Sequence, residues 1–282
     1  MIALFVLKLP AGISLMWWLM PRRDVTDGFF RIQMRLLLGL TVLSSLLLTA
    51  GATWTADSPG TTVGDTDGAT VGDSDLRSSE SENLPADRLT ADRLKMLDLV
   101  AAAVAYAGSV FWALGRRLPG NLCIHLLALL CCGALLLHSL SIPGPCPDAV
   151  QVLSDFSSAA VLGGMLTGML LGHWYLTTPT MSIQPLWWFN RAIAIAAMLR
   201  LLASALSLYL NAWPREGTQQ IWLGIRWTGG IAAPLLVTLL VWRILVLRNT
   251  QSATGVLFAG LILVFMGEMT AALLERDAGF PF

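Results

Sequence analysis

The sequence predicts an all-α, polytopic transmembrane helical bundle, and three observations carry that prediction. Of 282 residues, 55% are hydrophobic and only 13% are charged, whereas roughly a quarter are charged in ordinary soluble domains. Mean hydropathy is +0.67. Apolar runs of about 20 residues, the length a helix needs to cross a bilayer core about 30 Å thick, recur along the chain. A water-soluble globule is excluded. The 18 Lys+Arg balance the 18 Asp+Glu, so there is no basic field of the kind that nucleic-acid binding requires.

Eight spans are expected, or seven if the first segment does not cross. That segment, 2–20, contains Lys8 and Pro10, which weaken insertion and kink a helix. It reads as retained rather than as a signal peptide, because Trp17, Trp18 and Pro21 precede Arg22 and Arg23 where small residues and a cleavage site belong. The longer runs are 36–53, 96–114, 122–142, 149–171, 187–212, 221–245 and 253–274. Tryptophans such as Trp54, Trp174, Trp187, Trp213 and Trp242 fall near their ends, where indole prefers the interface. The chain thus divides into two helices (1–54), an acidic loop (55–95) and a six-helix core (96–282).

The loop has almost no large apolar side chains to offset its ordering entropy, and it is expected to be a disordered linker. It carries a duplicated pattern, Thr62-Val63-Gly64-Asp65-Thr66-Asp67 and Thr70-Val71-Gly72-Asp73-Ser74-Asp75. Closely spaced Asp oxygens suit calcium, but no anchoring Glu at the right spacing completes a site. A second repeat, Ala86-Asp87-Arg88-Leu89 and Ala91-Asp92-Arg93-Leu94, reads as an amphipathic lead into the third span.

Positive charge sets the orientation. With eight spans, Arg22, Arg23, Arg31, Arg35, Arg116, Arg117, Arg191, Arg243 and Arg248 share one side; the other side holds Arg77, Arg88, Arg93, Lys95, Arg215 and Arg276, most of them in the long loop, which weighs less, and Lys8, Arg200 and Arg226 lie within spans. The arginine side is expected to be cytoplasmic and both termini extracytoplasmic, in a bacterial-type inner membrane.

Ionisable groups inside spans cost a few kcal/mol each at mid-membrane and normally face protein or water. Running the spans alternately brings Asp155, Arg226 and Glu268 to one depth in the outer half, with an Arg226–Glu268 ion pair expected. His138, Asp98 and Lys8 lie in the same half and Arg200 nearer the middle. Lys8 and Asp98 are expected to snorkel to an interface. The others either fix helix packing or line a polar pocket that binds a small headgroup or passes protons. At the opposite level stand Gly172-His173-Trp174-Tyr175 and Trp187-Trp188-Phe189-Asn190-Arg191. Here His173, Trp174 and Arg191 are candidates to receive a quinone ring, a lipid phosphate or a partner protein, against the plainer reading of an anchor belt.

Metal and haem sites find little support in the sequence. Cys123, Cys131, Cys132 and Cys146 make no ligand spacing, so the chain is expected to carry no zinc or iron–sulfur cluster of its own. His125 and His138 project to different faces of one helix and His173 lies on the next, which argues against bis-histidine haem.

The final span, Leu261-Ile262-Leu263-Val264-Phe265-Met266-Gly267-Glu268-Met269, resembles the closing helix of DMSO-reductase and NrfD (polysulfide-reductase) membrane anchors. Size, eight spans and terminal orientation are similar as well. The family usually has an arginine soon after the glycine-glutamate pair, where this chain has Thr270 and Ala271. The resemblance implies an anchor that carries no haem, exchanges electrons between quinone and an iron–sulfur partner subunit, and binds quinone near the outer face. Glu268 is then the motif glutamate, and the outer-half cluster lines the pocket. Glu268 or Asp155 takes a proton, Arg226 tunes that carboxylate, and His138 relays the proton or hydrogen-bonds the ring oxygen. Two other functions use the same residues differently: a small-solute or ion transporter, and a non-catalytic assembly or scaffold protein.

Overall fold

The structure is a computed structural model that describes residues 2–56, 73–141, 147–178, 181–210 and 217–278, and among them every regular element is helical. In chain order these are α1 (Ile2–Leu19), a 3₁₀ turn (Arg22–Asp24), α2 (Asp27–Ala56), α3 (Asp73–Ala113), α4 (Arg117–Ser141), α5 (Asp148–Thr177) and α6 (Gln184–Leu210). There follow α7 (Gly217–Ile225), a π-helical segment (Arg226–Ala232), α8 (Ala233–Val246) and α9 (Thr250–Ala278). Seven stretches are long and apolar enough to cross a membrane, with α7, the π-segment and α8 together forming one of them. The protein is a polytopic helical membrane bundle.

α1 is the short member. Its 18 residues reach about 27 Å at about 1.5 Å per residue. It runs beside α5 in the same direction: Lys8 meets Asp155, Gly12 meets Ala159 and Gly163, and Met16 meets Gly164. α1 therefore covers most of a bilayer core, and Pro10 is carried within the helix.

α5 is the hub. In its apolar window 67% of residues are buried, against 28% for α2, so α5 faces protein on nearly all sides while α2 lies at the periphery. Its small residues explain how. Gly163 opposes the backbone of Gly12 and Ile13, Gly164 opposes Ile193 of α6, and Gly172 opposes Thr254 of α9, so three helices approach α5 where larger side chains would hold them off. At the arginine-rich end the packing turns aromatic. Phe30 stacks on Trp112 with centroids 4.6 Å apart, and Phe29 meets Trp174 edge-on at 6.3 Å.

Two features differ from the sequence expectation. α3 begins at Asp73, well ahead of residue 96, so much of the expected linker is helix. Its second half is rich in good helix formers, Glu80, Glu82, Ala86, Arg88, Ala91 and Lys95, and no glycine interrupts it. Residues 57–72, including the first Asp-rich repeat and the start of the second, lie outside the described residues.

The second feature is the π-helical segment. Pro234 has no N–H to return to the Gly230 carbonyl, and the ladder shifts so that Ala233 N–H donates to Thr228 O, five residues back. Gly229 and Gly230 in this segment lie against the backbone of Gly267 and Leu263, so α9 and the π-segment touch main chain to main chain beside Arg226 and Glu268.

Candidate functional site

Five ionisable side chains from five separate helical segments meet in one buried network. Counting residues from the helix ends nearer the α4–α5 and α6–α7 connections, Lys8, Asp155, Arg200, Arg226 and Glu268 all lie about 10–15 Å inside. This is the half of the bundle away from the arginine-rich end. Arg200 and Arg226 are 0% exposed and Glu268 3%.

Glu268 of α9 is the centre. Arg200 of α6 grips it with both arms, Nε to Oε1 at 3.2 Å and Nη2 to Oε2 at 3.0 Å. Arg226 Nη1 donates to Oε1 at 2.9 Å, the pair expected from depth. Ser158 Oγ donates to Oε2 at 2.5 Å. Both carboxylate oxygens are thus fully engaged, in the planar, charge-assisted geometry that offsets desolvation best. Arg200 Nη1 reaches on to the Ser154 carbonyl at 3.0 Å and its hydroxyl, and Arg226 Nη2 to Ser204 Oγ at 3.4 Å.

One residue along α5 from Ser154 is the second centre, Asp155. Lys8 Nζ lies 2.9 Å from Oδ1, while Ser139 Oγ and Gln151 Nε2 donate to Oδ2 at 2.7 and 3.2 Å. The two centres share the α5 backbone. Glu275, two turns beyond Glu268 on α9, adds its charge to the field at Lys8 and Arg226. Three cations therefore face three carboxylates.

Lys8 does not snorkel. It is 4% exposed and bound to Asp155, because parallel packing against the small residues of α5 leaves it facing protein, not an interface. Asp98 is likewise buried, at 1% exposure, and lies against Ser44 of α2. His138 of α4 sits within Coulombic reach of both Asp155 and Lys8. Its Nε2 is buried and has no hydrogen-bond partner among the described residues. A buried imidazole nitrogen normally finds a partner, so this atom is an open valence beside the Asp155–Lys8 bridge.

The other candidates stand apart. His173, Trp174 and Arg191 lie near the arginine-rich end, and Trp174 is separated from Asp155 by 19 residues of one helix, about 28 Å. His173 and Arg191 are exposed, whereas Trp174 Nε1 donates to Thr26 Oγ1 at 2.8 Å and its ring packs near Phe29. These contacts fasten the α1–α2 connection to the end of α5. His125 is exposed on α4 and bonded to Arg22.

Sequence reasoning missed the serines, Ser139, Ser154 and Ser158, and Gln151. Serine in an apolar helix commonly bonds its own backbone, and the Ser139 hydroxyl that donates to Asp155 also lies 2.9 Å from Leu135 O, where its one proton is shared. The available signal was the Ser154, Ser157, Ser158 set on the same helix as Asp155.

The Lys8–Asp155 bridge yields a first prediction. Lys8→Met leaves Asp155 with two neutral donors in place of an ammonium, and the expected loss is about 2 kcal/mol in a detergent unfolding titration. In a double-mutant cycle, Lys8→Met with Asp155→Leu is expected to recover most of that loss. Additive losses would show that the bridge contributes nothing.

Fold and site together define a polytopic helical membrane protein with a charge network buried at one level. No family model, no curated protein and no solved structure matches the chain.

Proposed function

We propose that the chain is a quinol-interacting membrane subunit of an electron-transfer complex, with its proton-handling site in the outer half of the bundle. The observation that carries this reading is the unpartnered His138 Nε2 beside the Asp155–Lys8 bridge. A quinone ring oxygen supplies the missing partner, and the neighbouring carboxylate takes the proton that a quinol releases. Glu268 has a different part. With four donors on two oxygens it is a fixed counter-charge, holding Arg200 and Arg226 in place and setting the potential at Asp155.

Quinol oxidation releases two protons and two electrons. In this reading the protons pass to the His138–Asp155 pair and on to the outer face, and the electrons pass to an iron–sulfur partner subunit. The arginine-rich end then lies in the cytoplasm of a bacterial-type inner membrane, with both termini outside.

The test is binding of an alkyl-hydroxyquinoline N-oxide, a quinol analogue, to the purified protein. His138→Leu is expected to weaken binding about tenfold, the value of one buried hydrogen bond to a ligand, while His138→Gln retains more of it. Equal affinity in the wild type and His138→Leu contradicts the reading. Topology is tested separately: a cysteine placed within residues 57–72 of a cysteine-free background is expected to react with an impermeant label added outside intact cells, and one at Gly115 is not.

A second reading has its own observation. Arg226 sits at the start of a π-helical segment in mid-span, and interrupted helices with polar groups at the break are a transporter device. Solute uptake into proteoliposomes that is abolished by Arg226→Gln, with no analogue binding, favours transport. Co-purification of a partner without either activity favours a scaffold.

A further inference from the structure

A second site runs from the arginine-rich end toward the middle of the bundle, where an apolar groove and a basic pocket adjoin. The groove, about 430 Å³, opens between α1, α4 and α5 and is walled by Leu15, Trp18, Leu129, Cys132 and Phe156, with His125 at one end. Trp18 and Leu129 are 49% and 70% exposed, so the groove faces the space that lipid occupies. The pocket, about 130 Å³, is formed by Arg22, Arg23, Asp27, Trp112, Arg117 and Asn121.

One guanidinium joins the two. Arg22 Nη2 donates to His125 Nε2 at 3.1 Å and Nη1 to Asn121 Oδ1 at 3.2 Å, so a group of the groove and a group of the pocket are held by the same side chain. Both partners are neutral and leave its charge uncompensated. Arg117 is paired with Asp27 at 3.0 Å, and Arg23 makes the pocket's balance positive by two charges. An independent observation points to a ligand. Trp112 is 5% exposed, lines this pocket, and its Nε1 has no hydrogen-bond partner among the described residues. Buried indole N–H groups are normally satisfied.

We infer that this composite cleft holds one anionic glycerophospholipid, its acyl chain along the groove from His125 toward Cys132 and Phe156, its phosphate on Arg22, Arg23 and the Trp112 N–H. Basic pockets between transmembrane helices at the cytoplasmic face are suited to such headgroups. A free anion leaves the groove unused, and an uncharged lipid leaves the arginines and the indole unsatisfied. The site is independent of the quinol reading, since it shares no residue with the buried network.

The experiment titrates the delipidated full-length protein, in neutral detergent, with fluorescent phosphatidylglycerol and with phosphatidylcholine of the same chain length. Phosphatidylglycerol is expected to bind on the order of tenfold more tightly, the scale of two arginines at a membrane surface. Arg22→Gln with Arg23→Gln is expected to remove that preference, weakening phosphatidylglycerol far more than phosphatidylcholine. Cys132→Phe, which fills the groove, weakens both lipids alike. If the arginine variant does not fold, the wild type carries the test: raising salt must collapse the preference. Equal affinities of the wild type for the two lipids, complete displacement of phosphatidylglycerol by inorganic phosphate at constant ionic strength, or full binding by Cys132→Phe overturns the proposal.

Discussion

Glu268→Ala is expected to be among the most damaging single substitutions in this protein, with a loss of about 3–5 kcal/mol in a detergent unfolding titration. The alanine leaves Arg200 and Arg226, both 0% exposed, facing each other without the carboxylate that joins them. Neither reaches water, the Ser154 and Ser204 groups that they also contact are neutral, and Glu275, two turns along α9, is the remaining carboxylate acting on Arg226. The penalty is that of stranded charge, not of a lost contact, and one comparison separates the two. Replacing the whole triad by apolar residues, Arg200→Met, Arg226→Met and Glu268→Leu together, is expected to recover most of the stability, because no charge of the triad is then left stranded. If Glu268→Ala is as stable as the wild type, the guanidiniums are hydrated and the network is not closed.

Gly163→Leu is the second large effect. A Cβ at this position meets the main chain of Gly12 and Ile13, and one on Gly12 meets the Ala159 carbonyl. Side chains can turn aside from an intruder, but two backbones in contact cannot, so α1 must move. The expected loss is about 3 kcal/mol, the upper end for overpacking. It carries a functional consequence, because α1 holds Lys8 against Asp155. Gly255→Leu is the control: nothing lies within 4 Å of a Cβ there, and the change is expected to stay within about 0.5 kcal/mol of the wild type. Similar stability for Gly163→Leu and Gly255→Leu would mean that α1 and α5 are not in backbone contact.

The seven long spans and the Arg226–Glu268 pair were legible because each rests on a one-dimensional quantity, apolar length in the first case and residue count from a helix end in the second. Arg200 was recognised as a buried cation, but its place in the triad depends on which face of α6 turns inward, and α6 is apolar nearly all round. Lys8 was misread for a related reason. Near the start of a short, proline-containing helix it looks like an interfacial lysine, and only the opposition of Gly12 to Ala159 and Gly163 shows α1 lying along α5 with Lys8 level with Asp155. His173, Trp174 and Arg191 stand at one end of the bundle, where α5 ends and α6 begins. Their contacts, led by the Trp174–Thr26 hydrogen bond, belong to the fastening of loops. The apolar groove was not foreseen at all, since its walls come from three helices and no single stretch of sequence marks them.

The claim on which the functional account depends is that the buried carboxylates respond to a ligand instead of serving only to pack helices. Infrared difference spectroscopy of the carboxyl region, recorded as the quinol analogue binds, addresses it directly. A carbonyl band that appears or shifts on binding, moves on deuterium exchange and is absent in Asp155→Asn is the predicted result. Superimposable difference spectra for the wild type and Asp155→Asn, with analogue bound in both, would contradict it.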